Sequence, residues 1–401
     1  MNYRRTLAYA AAVALTAGAG TAAAEGPVRI GVMNDMSGLY ADLAGPGSVV
    51  AAEMAIEDIG GEVLGHPVDV LSADHQNRAD LASTIARQWF DDDGVHAIFD
   101  VPNSSAALAV QELAREREKF FFISGAATSR LTGDSCSPTG VHWTYDTTSL
   151  ANGTGQAVVQ EGGDSWFFLT ADYAFGHSLE EDVSAVVEEA GGQVMGSVRH
   201  PLDTQDFSSY LLQAQGSGAE IIGLANAGTD TTNAIRQAGE FGIVEAGQRL
   251  AGLLLFITDI HALGLEAAQD LVLTTGFYWN RNEETRAFAE RFNERTGQMP
   301  TMVQAGVYSS TRHFLNAVEE AGTVDEAQAV MERVRANPVD DFFGDGGHVR
   351  EDGRMVHDMY LVRVKSPEES EGEWDYYEVL RTIPGEEAYG AMEDGGCQYV
   401  N

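Results

Sequence analysis

Val28-Arg29-Ile30-Gly31-Val32-Met33 reads as a β-strand, and Asn34-Asp35-Met36-Ser37-Gly38 as the small-polar loop that ends it. The apolar spacing that follows predicts a helix from about Leu43 to Ile59. The same grammar repeats outward from there. Pro67 to Ala73 is a second strand, followed by a helix from about Asp80 to Phe90. Val95 to Phe99 is a third strand, followed by a helix from Ser104 to Arg115, and Phe120 to Ser124 is a fourth strand. Asp91-Asp92-Asp93, the densest acidic run, falls where a helix ends and reads as a solvated turn. Strands that alternate with helices of this length imply a parallel sheet covered on both faces.

The pattern restarts near residue 150. Strands are expected at Ser165 to Thr170, Gln193 to Val198, Ile221 to Leu224, Leu250 to Leu255 and Leu271 to Thr275. Helices fall between them, from Ser178 to Ala190, Phe207 to Gln215 and Thr231 to Phe241. Beyond residue 280 the chain turns helical, at Glu283 to Arg295, Met302 to Glu320 and Asp325 to Arg335. Strands return at Met359 to Lys365 and Tyr376 to Thr382. So long a chain exceeds what one hydrophobic core usually serves. The expectation is an α/β protein of two doubly wound parallel-sheet lobes joined by several crossovers. Residues 25–146 and 280–355 are assigned to the first lobe, 147–279 and 356–401 to the second.

Arg4 and Arg5 precede an apolar run from Leu7 to Ala19, and Ala22-Ala23-Ala24 closes the stretch. A charged start, a short apolar centre and small residues at the end predict a secretory signal peptide over residues 1–24. The apolar run is too short to span a membrane. Glu25 at the new N-terminus offers no cysteine for a lipid anchor. The mature protein is therefore expected to be exported and soluble. The full chain's net charge of −37 repels phosphate backbones and disfavours nucleic-acid partners. Dispersed carboxylates also favour a soluble monomer. The two cysteines, Cys136 and Cys397, form an even pair in an oxidising compartment, which predicts a disulfide.

Enzymatic signatures are absent from the chain. It has no G-x-S-x-G elbow, no H-E-x-x-H and no P-loop, and its histidines do not pair at metal-ligand spacing. No cofactor, metal site or catalytic residue is expected. In open α/β sheets, ligands sit beyond the carboxyl ends of the strands. Those ends carry Asn103-Ser104-Ser105 and Ser124-Gly125-Ala126-Ala127-Thr128-Ser129 in the first half. Two such loops side by side would make a cradle of N–H and hydroxyl groups for an anion. Aromatic residues gather at the same ends: Tyr40, Trp143, Tyr145, Tyr173, Phe175, Phe256, Tyr278 and Trp279. They favour an apolar or aromatic body on the ligand.

Met36-Ser37-Gly38, Asn103-Ser104-Ser105, Ile123 to Thr128 through Leu131-Thr132, and Asp172-Tyr173-Ala174-Phe175-Gly176 resemble, in order and spacing, a known family. It is the type I periplasmic solute-binding proteins of the branched-chain amino acid (leucine/isoleucine/valine) class. The resemblance implies that family's fold, with two lobes on a multi-crossover hinge that close over a small solute. It also implies periplasmic delivery of that solute to the permease and ATPase subunits of an ABC importer. The alternative on the same fold is an extracytoplasmic sensor that signals to a membrane partner. By position, the resemblance assigns the ligand carboxylate to Asn103 or Ser104, Ala126 and Thr128. The chain departs from the family at Pro102-Asn103-Ser104, where a Cys-Ser-Ser type of run is usual, and at Phe175, which cannot hydrogen-bond. An α-ammonium partner falls near Asp259, with Asp172 and Asp230 as further acidic residues at strand ends. Tyr40, Tyr173 and Tyr278 complete the expected ligand contacts. The departures tilt the expectation toward an apolar or aromatic carboxylate without an α-ammonium group.

Overall fold

The computed structural model describes residues 26–400, and the predicted signal peptide lies outside the described residues. Val28–Asn34 forms strand β1, buried throughout from Ile30 onward. A strand buried on both faces needs an unbroken apolar run, and that is how this stretch reads. β1 pairs in parallel with β3 (His66–Asp74) on one side and β4 (Ala97–Asp100) on the other. β5 (Phe120–Ile123) and β6 (Gly140–His142) continue the parallel sheet, and β2 (Glu62–Val63) makes a short hairpin with β3. The order is β2-β3-β1-β4-β5-β6.

Alternation along the strands sends side chains to two cores. Val28, Ile30, Val32, Phe99, Phe120 and Phe122 pack beneath helices Gly45–Asp58 and Met302–Ala321. Met33, Ile98, Phe121 and Ile123 meet helices Ala79–Asp91 and Ser104–Glu116. Phe99 and Phe122 stack at 5.2 Å, with Phe314 edge-on to Phe99.

A second parallel sheet holds β7 (Ser165–Ala171), β8 (Gln193–His200), β9 (Ile221–Ala225) and β10 (Arg249–Gly252), ordered β10-β9-β7-β8. Trp166, Phe168 and Ile221 face helix Ala174–Glu189. Phe167, Leu169, Ile222 and Leu224 face helices Ser208–Ser217 and Thr229–Glu240. The chain then forms β11 (Val272–Thr275), the small sheet of β12 (Val339–Asp340), β13 (Asp345–Val349) and β14 (Met355–Val356), and finally β15 (Met359–Val364) and β16 (Tyr377–Ile383). β15 lies antiparallel between β11 and β16. The architecture is the expected α/β type with parallel sheets.

Several expectations need correction. The strand predicted from Leu250 to Leu255 ends at Gly252, and Leu253 to Phe256 form a buried turn into helix Ile257–Leu263. The helix predicted from Ser178 begins at Ala174, so Phe175 sits in its first turn. The helical stretch Thr147–Gln160, with a π-turn over Ala151–Gly155, was not foreseen. The tail beyond β16 meets residues of both assigned sets, Cys136 of the first and Asn152 of the second. There Cys397 bonds Cys136 with their Cα atoms 5.6 Å apart, and the Asn152 amide donates to the Ala388 carbonyl at 3.0 Å.

Candidate functional site

The loop that follows β1 is shaped by one carboxylate. Asp35 accepts from the N–H of Gly38 at 2.8 Å and of Tyr40 at 3.0 Å, and Asn77 donates to it as well. Asn34 accepts from the Gly45 N–H at 3.0 Å, which fixes the start of the next helix. Tyr40 and Leu43 are thereby held over the end of the sheet. Behind them Asp100 is buried, and it accepts from Asn34 at 2.8 Å and Ser48 at 2.5 Å. Its burial pushes the carboxyl up to about 6. Asp100 and Val101 both have left-handed φ values, +77° and +59°. Non-glycine residues persist in that region only where their surroundings over-determine it. Gly125 packs on this corner, where an added Cβ would come within 2.6 Å of Asp100 Oδ1.

The two polar loops meet as expected. Asn103 caps helix Ser104–Glu116, accepting from the Ala106 N–H at 3.0 Å. Ser104 Oγ accepts from the N–H groups of Ala127 and Thr128, each at 3.3 Å. These bonds are long, so a carboxylate oxygen arriving at the same donors meets little competition. Ala126 is buried, with its carbonyl accepting from His142 Nε2 at 2.7 Å. The Thr128 hydroxyl crosses to the second sheet's side and bonds Ser178 Oγ at 2.7 Å. A second bridge joins the hydroxyls of Tyr40 and Tyr173 at 2.5 Å. Burial raises the pKa of both tyrosines, so both stay neutral phenols.

Between the sheets lies a cavity walled by Tyr40, Tyr145, Tyr173, Phe175 and Phe256, with Leu43, Leu254, Ala127, Ala227, Pro102 and Gly125 filling the gaps. The space between these walls, counted out to where it meets solvent, is about 230 Å³. The Thr128–Ser178 and Tyr40–Tyr173 bridges hold the two halves closed on one another. None of the wall residues is acidic or basic. Among the described residues, no group of three or more His, Cys, Asp or Glu side chains is placed to hold a metal.

Of the expected residues, Tyr40, Tyr173 and Phe175 are walls of this cavity, whereas Asn103, Ser104, Ala126 and Thr128 stand behind Ala127 and Gly125 and the rest lie off it. Asp259 accepts from the Phe256 N–H at 2.8 Å, and burial pushes its carboxyl up to about 7. Asp230 accepts from the N–H groups of Thr204 at 2.8 Å and Asp203 at 3.2 Å, and burial likewise pushes it to about 7. Asp172 is on the surface beside His177 at 2.8 Å and Arg199 at 3.8 Å. Tyr278 donates to Asp375 at 3.3 Å, and Trp279 Nε1 donates to the Trp374 carbonyl at 2.8 Å. Trp143 packs on Phe122 in the first core. The sequence reading did not single out Leu43, Leu254, Ala227, Ser178 or Gly228. Gly228 was the most legible of these, as a glycine in the loop after β9.

Comparison with known proteins agrees with this architecture. The family model described as periplasmic binding protein matches residues 27–372. The chain is similar to a periplasmic binding protein of Burkholderia mallei, with 50% identity over 94% of this chain and 99% of that one, and a TM-score of 0.92. It is similar to a branched chain amino acid ABC transporter periplasmic ligand-binding protein of Burkholderia xenovorans LB400, with 44% identity, 93% and 99% coverage, and a TM-score of 0.82. It also matches the Leu/Ile/Val-binding protein homolog 6 of Brucella melitensis, at 25% identity over 333 residues, 81% of this chain and 84% of the relative. Together with the paired parallel sheets and the cavity between them, these matches show that the chain belongs to the periplasmic binding protein family and has its type I fold.

Proposed function

We propose that this protein captures a small carboxylate-bearing solute between its two lobes in the periplasm and delivers it, as a monomer, to the permease and ATPase of an ABC importer. The observation that supports the reading is the cavity itself: five aromatic rings with Ala127 among its walls, and Ser104 hydrogen-bonded to the Ala127 and Thr128 N–H groups just behind that wall. The solute's carboxylate takes the Ala127 and Thr128 N–H groups and the hydroxyls of Ser104 and Thr128. Its apolar or aromatic body fills the space among the rings, where burial excludes water. The seated solute favours the closed form, because it adds contacts with the second-lobe rings that only that form can make.

A solute without an α-ammonium group fits best. A buried ammonium needs an anionic partner. Asp259 and Asp230 spend their carboxylates on backbone N–H groups, and Asp172 lies outside. Calorimetry that pairs isocaproate with leucine, and hydrocinnamate with phenylalanine, tests this. The acids are expected to bind more tightly than the amino acids, and Thr128→Val to weaken the acids by about 1.5–3 kcal/mol, the worth of a hydrogen bond to a charged group. Tighter amino-acid binding that Asp259→Asn abolishes would make Asp259 an ammonium site. Unchanged affinity in folded Thr128→Val would remove Thr128 from the site.

A further inference from the structure

A second small cavity lies behind the first. Thr275, Tyr278, Trp279, Met302 and Tyr377 are among its walls, and its unfilled space is about 220 Å³. Phe256 is the one residue common to both linings. The partition continues on the first-lobe side, where Thr301, a wall of the second cavity, donates its hydroxyl at 2.6 Å to the carbonyl of Leu43, a wall of the first. Phe256 stands in the turn just ahead of helix Ile257–Leu263, and its N–H is tied to Asp259. Its ring meets Tyr145 edge-on at 6.2 Å. Beyond it, Tyr377 buries a hydroxyl that has no protein partner. Space and an unused polar group thus lie directly past one side chain.

We propose that Phe256 sets the length of the solute: its ring is the end wall of the site, and a smaller residue there would join the two cavities into one longer site. This rests on the carboxylate reading above. A solute anchored by its carboxylate at the Ser104 corner extends toward the second lobe. How many carbons lie between that anchor and the far end of the solute then depends on where the Phe256 ring stands.

Isothermal titration of the full mature chain with benzoate, phenylacetate, hydrocinnamate and phenylbutyrate tests it, because each acid adds one methylene to the last. Wild type is expected to show a length cut-off within the series. Phe256→Ala is expected to move the cut-off to longer acids, with about a fourfold gain for each methylene newly buried. Phe256→Leu removes less volume, keeps the fold secure and is expected to shift the profile in the same sense by less. The same length profile in wild type and both variants overturns the proposal while leaving carboxylate capture intact. Equal affinity of wild type for the shortest and longest acids overturns it too. A wild-type protein that binds none of the series overturns the carboxylate reading and this inference with it.

Discussion

Gly228 shows how much one missing side chain does for closure. It stands at φ +59°, and an added Cβ would come within 2.4 Å of the Leu39 carbonyl oxygen and 3.2 Å of the Tyr40 ring. Leu39 and Tyr40 belong to the first-lobe loop, so the clash exists only when the lobes are closed. Alanine there costs the fold about 1–3 kcal/mol of backbone strain whether open or closed. Closing adds the collision with Leu39. Gly228→Ala is therefore expected to weaken solute binding by about tenfold or more, equivalent to some 1.4 kcal/mol, in a protein that still folds. Calorimetry reads the affinity, and small-angle scattering at saturating solute reads the compaction. Affinity and compaction both equal to wild type would show that Gly228 is indifferent to closure. The Tyr40–Tyr173 and Thr128–Ser178 bonds cross the same boundary, so they contribute only to the closed form.

Secondary-structure elements differed in how well they could be read. Strands such as Phe120–Ile123 are runs of apolar residues, and their buried pairing repeats that run. Helix Met302–Ala321 was legible from its long pattern, and the structure adds a capping box at Thr301. The Thr147–Gln160 stretch was not, because Asn152-Gly153-Thr154-Gly155 has poor helix propensity. It is held by long-range contacts: Thr154 bonds Thr274 at 2.9 Å, and an added Cβ on Gly153 would come within 2.1 Å of the Thr274 hydroxyl. The tail after β16 likewise has no core of its own: Ala388 and Tyr389 pack into the first core, Tyr389 donates to the Thr144 carbonyl at 3.0 Å, and the Cys136–Cys397 bond, across 261 residues, ties the last stretch. Cys136→Ser/Cys397→Ser is expected to lose about 2–5 kcal/mol of stability. It should also admit protease cleavage beyond Tyr389 while the rest of the chain stays intact. Denaturant melts and limited proteolysis measure both. A variant as stable and as resistant as the parent would make the bond dispensable.

The molecule as a whole carries 61 acidic against 24 basic residues, so self-repulsion opposes the compact state. Raising salt from about 0.01 M to 1 M shortens the screening length from roughly 30 Å to roughly 3 Å. The melting temperature is expected to rise across that range, measured by scanning calorimetry without solute. A fall would mean that exposed pairs such as Arg291–Asp58 and Arg295–Glu57 outweigh the repulsion. Periodicity in the chain was enough for the parallel sheets, their covering helices and the order of the loops at the strand ends, since buried strands and amphipathic helices carry local patterns. It was enough also to put Tyr40, Tyr173 and Phe175 near strand ends, while Ser104 and Thr128 were singled out by the family resemblance. Which rings share a cavity was not local. Phe256 and Tyr145 line it while Tyr278 and Asp259 stand apart, because the turn after Gly252 and the docking of one lobe on the other set their positions. Both depend on contacts between residues a hundred or more positions apart, and no window of sequence holds such pairs together.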